Sequence, residues 1–400
     1  MILPQELLDA IIDEIRDAVT LQSCALVATS FVPLCQRKIY RSLYLWARQS
    51  RKPRISQEHW SLREAHRTFV ESPHLGAYVH DLTIELPDAA SKLAALEVLR
   101  LVPNIKRLLV DGRCMESWIV PPGAANAMFE CLARPSLRRL HLMNVASAPS
   151  ALIVAATLIP AVSLSNVTVH PGEDAHVAAQ LHNATSVPRL RHLMLTGDGG
   201  PLLPICNILL RPRHPPYTRC IEQLELRMNA SSREYDQRLL AACATTLEHL
   251  ALYALRDPIA LPHLPLVRRL EMKFFVGAKR RFPPSLSPTL SHVAASLPLV
   301  EHIALSFTIT SHPKVIQTEW AADAEPLAIF GPSSLETGRR ELRHLRSVHC
   351  RLLQILTPSD SLPALFSSFT KAVERGMPAL EGTGILTCTL GDPPVPFIER

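Results

Sequence analysis

The sequence predicts an α/β fold, with a small helical unit at the N-terminus followed by a solenoid in which a strand and an outer helix recur. Three observations carry this. One short aliphatic pattern returns along most of the chain. The hydrophobic fraction is 47% while aromatic residues make up only 5%, which suits a long, thin core of Leu and Val better than a globule packed around large rings. The 400 residues exceed what one compact core fills, unless the chain grows by stacking. Charged residues, at 20%, are too few for the apolar-poor, charge-rich composition of a disordered chain.

The first element is the helical unit, residues 1–45. Pro4 suits the first turn of a helix, where its missing N–H is not needed, and Gln5, Glu6 and Asp9 place acceptors at the positive end of the dipole. A helix from Pro4 to Arg16 is expected, striped by Leu7, Leu8, Ile11, Ile12 and Ile15. Thr20 is expected to cap a second helix carrying Leu21, Cys24, Val27 and Ala28. Val32-Pro33 opens a third with Cys35, Ile39 and Leu43. So small a unit is near the limit at which a domain buries its own surface, so part of the stripe needs another partner.

These residues resemble the F-box family. An F-box opens with Leu-Pro-x-Glu-(Leu/Ile), continues with aliphatic residues four and eight positions on, and then has a Leu-x-x-(Cys/Ala)-x-Leu-Val segment ending in an aromatic. The matches are Leu3, Pro4, Glu6, Leu7, Ile11 and Ile15, then Leu21, Cys24, Leu26, Val27, Ser30 and Phe31, with Ile39-Tyr40 near the end. Phe31 stands where many members carry Trp. The resemblance implies that the apolar face docks on the adaptor Skp1, and through it on a cullin-RING ubiquitin ligase. The contacts carried over are Leu3, Pro4, Leu7, Ile11, Val27, Phe31 and Tyr40. A helical cap on a solenoid is the competing reading of the same spacing.

Residues 46–78 are expected to connect the two parts. They contain the basic run Arg48, Arg51, Lys52 and Arg54, read as a solvated linker, and a helix around Trp60, Leu62 and Phe69.

The array, residues 79–390, is marked by an aliphatic residue, two variable ones, an aliphatic, one variable, and an aliphatic. The copies are Val79/Leu82/Ile84, Ile105/Leu108/Val110, Leu137/Leu140/Leu142, Ile159/Val162/Leu164 and Leu190/Leu193/Leu195. They continue as Ile221/Leu224/Leu226, Leu247/Leu250/Leu252, Val267/Leu270/Met272 and Val300/Ile303/Leu305, with a weaker copy at Leu342/Leu345 and a doubtful one between Leu380 and Leu386. This is the strand signature of a degenerate leucine-rich repeat. Helix-compatible stretches lie between the copies at Ala89 to Leu101, Ala124 to Ala133, Ser150 to Leu158 and Arg233 to Cys243. A strand and an outer helix per repeat give a parallel concave sheet with helices on the convex side. F-box domains and such arrays occur together in a subfamily, and SPHLGAYVHDLTI and SLRRLHLMNV look like phrases of fungal F-box-like proteins. Residues 391–400 form a C-terminal tail.

Because side chains alternate along a strand, the residues between the aliphatic ones face the concave side. The candidate substrate-binding positions are Arg107, Arg139, His141, His192, Arg227, His249, Tyr253, Arg269, Lys273 and His302. The position before the second aliphatic is Arg or His in seven repeats, counting His344, with Arg346 also assigned to this face. Such a ladder fits an acidic or phosphorylated partner, or else a solvated strand face.

Catalytic patterns are missing from the sequence. It contains no HExxH, GxxxxGK[ST] or GxSxG, and Gly197-Asp-Gly-Gly follows a strand instead of preceding a helix. The 17 His are dispersed, without partners at ligand spacing. No enzyme activity, metal or cofactor is therefore expected. The net charge of +6 is too mild for an electrostatic footprint on nucleic acid, although Arg48 to Arg54 and Lys279-Arg280-Arg281 keep that class as a rival. Proline-rich pieces at Arg211 to Tyr217, Pro283 to Pro288 and Pro393 to Pro396 read as loops.

Nine scattered Cys without a CxxC point to a reducing compartment, cytoplasm or nucleus. The opening residues lack a secretory pattern. The uncharged stretch Val145 to Val169 is broken by Pro149, Pro160 and Asn166, so it reads as a buried helix followed by a strand, with no membrane span. The functional expectation is a substrate receptor of a Skp1-cullin-F-box ligase, or alternatively a repeat scaffold outside any ligase.

Overall fold

The computed structural model describes residues 4–46, 59–86, 89–112, 122–170, 188–197, 202–212, 216–227, 233–253, 258–276, 282–283, 285–309, 344–354, 362–377, 380 and 382–391. It is a mixed α/β, solenoid-like fold, in which the described strands run parallel to their partners and are joined mostly by helices. The chain divides into two compact units, residues 1–190 and 191–400.

The first unit begins with α1 (Gln5–Glu14), α2 (Ala18–Val27), a 3-10 turn (Thr29–Phe31) and α3 (Val32–Ile39). Asp17, not Thr20, caps α2. Its carboxylate accepts the Thr20 N–H at 2.7 Å, and hydrogen bonds from Thr20 hold it below its ordinary pKa. The helices pack around Ile12, Leu21 and Cys35, with Ile15, Cys24, Phe31, Leu34 and Ile39 against them. Strand β1 (Ser42–Trp46) follows, then β2 (His59–Ser61), α4 (Leu62–Glu71) and α5 (Pro73–Gly76). A reciprocal pair starts α4: Ser61 Oγ accepts the Glu64 N–H, and the Glu64 carboxylate accepts the Ser61 N–H. The unit continues with β3 (Asp81–Glu85), α6 (Ala89–Leu101), β4 (Arg107–Asp111), α7 (Pro122–Leu132), β5 (Arg139–Met143), α8 (Ser150–Ala156) and β6 (Ala161–Ser165). The strand order is β6-β5-β4-β3-β1-β2.

Two expectations change here. Leu43 belongs to β1, not to the third helix, and the sheet starts at Ser42, well before residue 79. Tyr40, Leu43 and Leu45 occupy the three repeat positions, with an aromatic ring in place of the first aliphatic: Leu43 registers with Leu82, and Leu45 with Ile84. Strand β2 falls in the segment expected to be a linker. The uncharged stretch resolves as expected into α8, buried along Ala151 to Ala156, and β6.

The second unit contains β7 (His192–Thr196), α9 (Leu202–Leu209), a 3-10 turn (Tyr217–Cys220), β8 (Gln223–Arg227), α10 (Arg233–Cys243), β9 (His249–Tyr253) and β10 (Arg269–Val276). It ends with α11 (Leu286–Ser296), β11 (His302–Ile309), β12 (Ser347–Gln354), α12 (Leu362–Gly376) and β13 (Leu386–Gly391). Its strands lie in sequence order.

All nine aliphatic triplets from Val79/Leu82/Ile84 to Val300/Ile303/Leu305 are at most 3% exposed. Register stacks like on like, for example Leu224, Leu250 and Leu270 on β8, β9 and β10. Burying one such side chain contributes roughly 1.5–3 kcal/mol. The tenth copy is displaced by three residues: Val348 pairs with Ile303 and Cys350 with Leu305, so the true triplet is Leu345/Val348/Cys350. His344 and Arg346 precede β12, and Ser347, His349 and Arg351 take the expected concave places. Late in the chain Phe274 stacks on Phe307 at 5.5 Å and Phe369 meets Phe307 edge-on at 5.6 Å. Strands β10 to β12 are eight residues long against five for β7 to β9, and the rings fill the widened core.

A backbone device recurs at many of the strand starts. The carbonyl just before a strand accepts two successive N–H groups from the next repeat: Arg41 O from His80 and Asp81, His80 O from Lys106 and Arg107, Lys106 O from Arg138 and Arg139. At the other strand end, Asn144 and Asn166 adopt positive φ (54° and 52°). Asn166 donates to Asn144 and Asn144 to Asp111, each at 3.1 Å. A Cβ at Gly112 would stand 2.7 Å from the Asn144 carbonyl oxygen, which excludes a side chain there.

Candidate functional site

Two surfaces carry the sequence-derived candidates. The first is on α1 and α2. Leu8 and Ile12 turn inward, whereas Leu7 and Ile11, one helical turn apart on another face, are each 51% exposed. On α2, Leu26 and Val27 are 89% and 76% exposed. Exposed aliphatic side chains at this density contrast with the buried triplets of the array. Pro4 is exposed at the start of α1. Phe31 is half-buried against the Ile12, Leu21 and Cys35 cluster. Tyr40, partly exposed, packs edge-on against Trp60 at 5.4 Å and Phe69 at 6.3 Å, so it ties the helices to the sheet. Leu3 lies outside the described residues.

The second surface is the polar face of the sheet. In the first unit the residues opening the strands align as Ser42, Asp81, Arg107, Arg139 and Ala161. In the second they align as His192, Gln223, His249, Arg269, His302 and Ser347. The expected Arg and His ladder exists as a row, but neighbours engage much of its charge. Arg107 grips both oxygens of Asp81 at 2.6 Å, and this raises its pKa. His192 lies 3.0 Å from Glu225, and His302 lies 2.8 Å from Ser347. Burial pushes the His141 imidazole down to about 4 and also lowers His249. The face therefore offers directed hydrogen bonds more than uniform positive charge.

Further along the same face, His192, Tyr253 and Lys273 surround a half-buried carboxylate, Glu225, and Arg227 lies in register with Tyr253. Glu225 accepts from the Tyr253 hydroxyl, which in turn accepts from Lys273 Nζ at 3.0 Å. Lys273 also sits 4.3 Å above the Tyr253 ring and 3.2 Å from Glu271. Burial raises the Glu225 pKa, but the hydrogen bonds from His192 and Tyr253, with the Lys273 charge, outweigh it and leave the group below its ordinary value. Sequence reading found the members of this cluster except Glu225 as an organising centre. Its signal was its place on the polar face in the middle of β8, with Met194 and Ala251 in register on the neighbouring strands. A hollow of about 280 Å³ nearby is lined by His249, Arg269, Glu271, His302, Ser347 and His349.

The basic runs at 48–54 and 279–281 lie outside the described residues, as do Pro393 to Pro396 and the Gly-Asp-Gly-Gly turn after its first residue; of the other proline-rich pieces, the one at Pro283 to Pro288 is not all loop but runs into α11 at Leu286, and Tyr217 opens a 3-10 turn. Among the described residues, no group of three or more His, Cys, Asp or Glu could hold a metal ion. No described helix is long and apolar enough to cross a membrane. No family model matches the chain, and no curated protein matches it.

Proposed function

We propose that this chain is an F-box-like substrate receptor, binding Skp1 through its N-terminal helices and a target protein through the polar face of a leucine-rich-repeat array. The observation that carries the reading is the exposure of Leu7, Ile11 and Val27, residues that the F-box resemblance assigns to Skp1. The unit has its own small core in Ile12, Leu21 and Cys35, so these side chains are not required for internal packing. The role is one of proximity: the array holds a target lysine near a ubiquitin-charged enzyme recruited by other subunits, raising effective concentration without a catalytic step in this chain. Cytoplasm and nucleus are the compartments that fit.

Co-purification from the native cell tests this. Skp1 and a cullin should accompany the wild-type chain and be lost from Leu7→Asp/Ile11→Asp; their absence from the wild-type sample would refute the proposal. Tyr40 packing on Trp60 and Phe69, together with the pairing of β1 into the sheet, favours a second reading in which the helices serve as a cap on a scaffold. That reading predicts that the Leu7→Asp/Ile11→Asp variant keeps every partner of the wild type.

A further inference from the structure

A cleft of about 580 Å³ in the first unit separates α1 and α3 from the strand starts. Arg37, Arg41, His80 and Lys106 line it, with Asp9 and Asp13 on the α1 side. A second hollow of about 320 Å³ shares Arg37 and His80, and both volumes together are in the range of small-ligand pockets.

The cations are in register. Arg41, His80 and Lys106 each stand one residue before their strand, and their carbonyls carry the paired backbone hydrogen bonds that link successive repeats. Adjacent parallel strands lie about 4.8 Å apart, so the three side chains rise in a column from one repeat to the next. The second unit fills the same positions with charges of both signs, Arg191, Glu222, Glu248, Arg268, Glu301 and Arg346: Arg191 pairs with Glu222 at 3.7 Å, and Glu301 pairs with Arg268 at 2.8 Å and Arg346 at 3.4 Å. In the first unit, no ion pair joins Arg37, Arg41 or Lys106 to a carboxylate among the described residues. The nearby Asp81 is taken by Arg107, and the remaining cation of the cleft, Lys38, donates to the carbonyls of Ile12 and Asp13 at the end of α1. A like-charge column is unfavourable unless something compensates it, and the cleft leaves room for the compensating anion.

We propose that this cleft binds a small ligand carrying two or more phosphate groups, held by Arg37, Arg41, His80 and Lys106. Arg forks match phosphate oxygens in pairs, and a column of this height spans more than one phosphate. His80 supports the assignment. Burial, and then repulsion from Lys106, Arg41 and Arg37, outweigh the attraction of Asp81 and keep it below its ordinary pKa, so an arriving polyanion would draw a proton onto it. The proposal does not depend on Skp1 binding.

Titration calorimetry of the full chain with inorganic tripolyphosphate tests the site. Saturable binding is expected, weakened at least about tenfold in Arg41→Gln/Lys106→Gln and largely restored in Arg41→Lys/Lys106→Arg. In the wild type, the His80 ring resonance should move toward the protonated position on addition of tripolyphosphate. No saturable binding, equal binding by the Gln variant, or an unmoved His80 resonance would overturn the proposal. So would tighter binding by a singly phosphorylated peptide, which would make the occupant a protein segment.

Discussion

His141 sits on β5 between Leu140 and Leu142, where Nε2 lies 3.3 Å from Ser165 Oγ, and burial holds its pKa at about 4 despite the Asp111 charge. In the unfolded chain it titrates near the ordinary value of about 6.5. Between those values the unfolded state binds a proton that the folded state does not, so stability rises with pH across this window and falls on acidification. The loss attributable to this group between pH 6.5 and 4 is at most on the order of 3 kcal/mol. Urea unfolding should accordingly show a shallower acid dependence for His141→Gln than for wild type; parallel curves would show that the folded imidazole is not held neutral. Ser61 offers a second test at this scale. It satisfies the Glu64 N–H at the start of α4, so Ser61→Ala should lower stability by about 1 kcal/mol.

At the scale of elements, the repeated inner row does the stabilising. Leu250 on β9 lies between Leu224 and Leu270 and is fully buried, so Leu250→Ala should cost about 2–5 kcal/mol. Leu26→Ala, on the exposed side of α2, should stay within about 0.5 kcal/mol of wild type. Denaturant melts of the two variants check the contrast, and a large loss in Leu26→Ala would mean that this side chain is structural. The same contrast explains what the sequence made readable. Nine strands were legible because their three inner positions are aliphatic at fixed spacing. Strand β1 was hidden because Tyr40 replaces the first aliphatic, and β12 was shifted by three because Cys350 takes a Leu position while Leu342 imitates one. On α1, five aliphatic residues span more than one face, so spacing alone did not separate inward Leu8 and Ile12 from outward Leu7 and Ile11. Asp17 won the α2 cap over Thr20 because α2 begins at Ala18, one turn earlier than the apolar pattern implies. The cation column escaped because its members lie just outside the strands, where the alternation that predicts facing does not reach.

For the whole molecule, the aliphatic composition now has a cause: each repeat adds Leu, Ile or Val to the row beside the previous repeat, and rings cluster at the first strands, where Tyr40 meets Trp60 and Phe69, and where strands β10 to β12 lengthen. The N-terminal helices differ in kind. They close a core of their own and leave Leu7, Ile11, Leu26 and Val27 in solvent, an arrangement that a partner would bury. Calorimetric titration of the purified chain with purified Skp1 is the most direct test of that account. It predicts saturable one-to-one binding by the wild type and none by Leu7→Asp/Ile11→Asp, with the circular dichroism of the variant unchanged. Absence of binding by the wild type, or equal affinity in the variant, would contradict it.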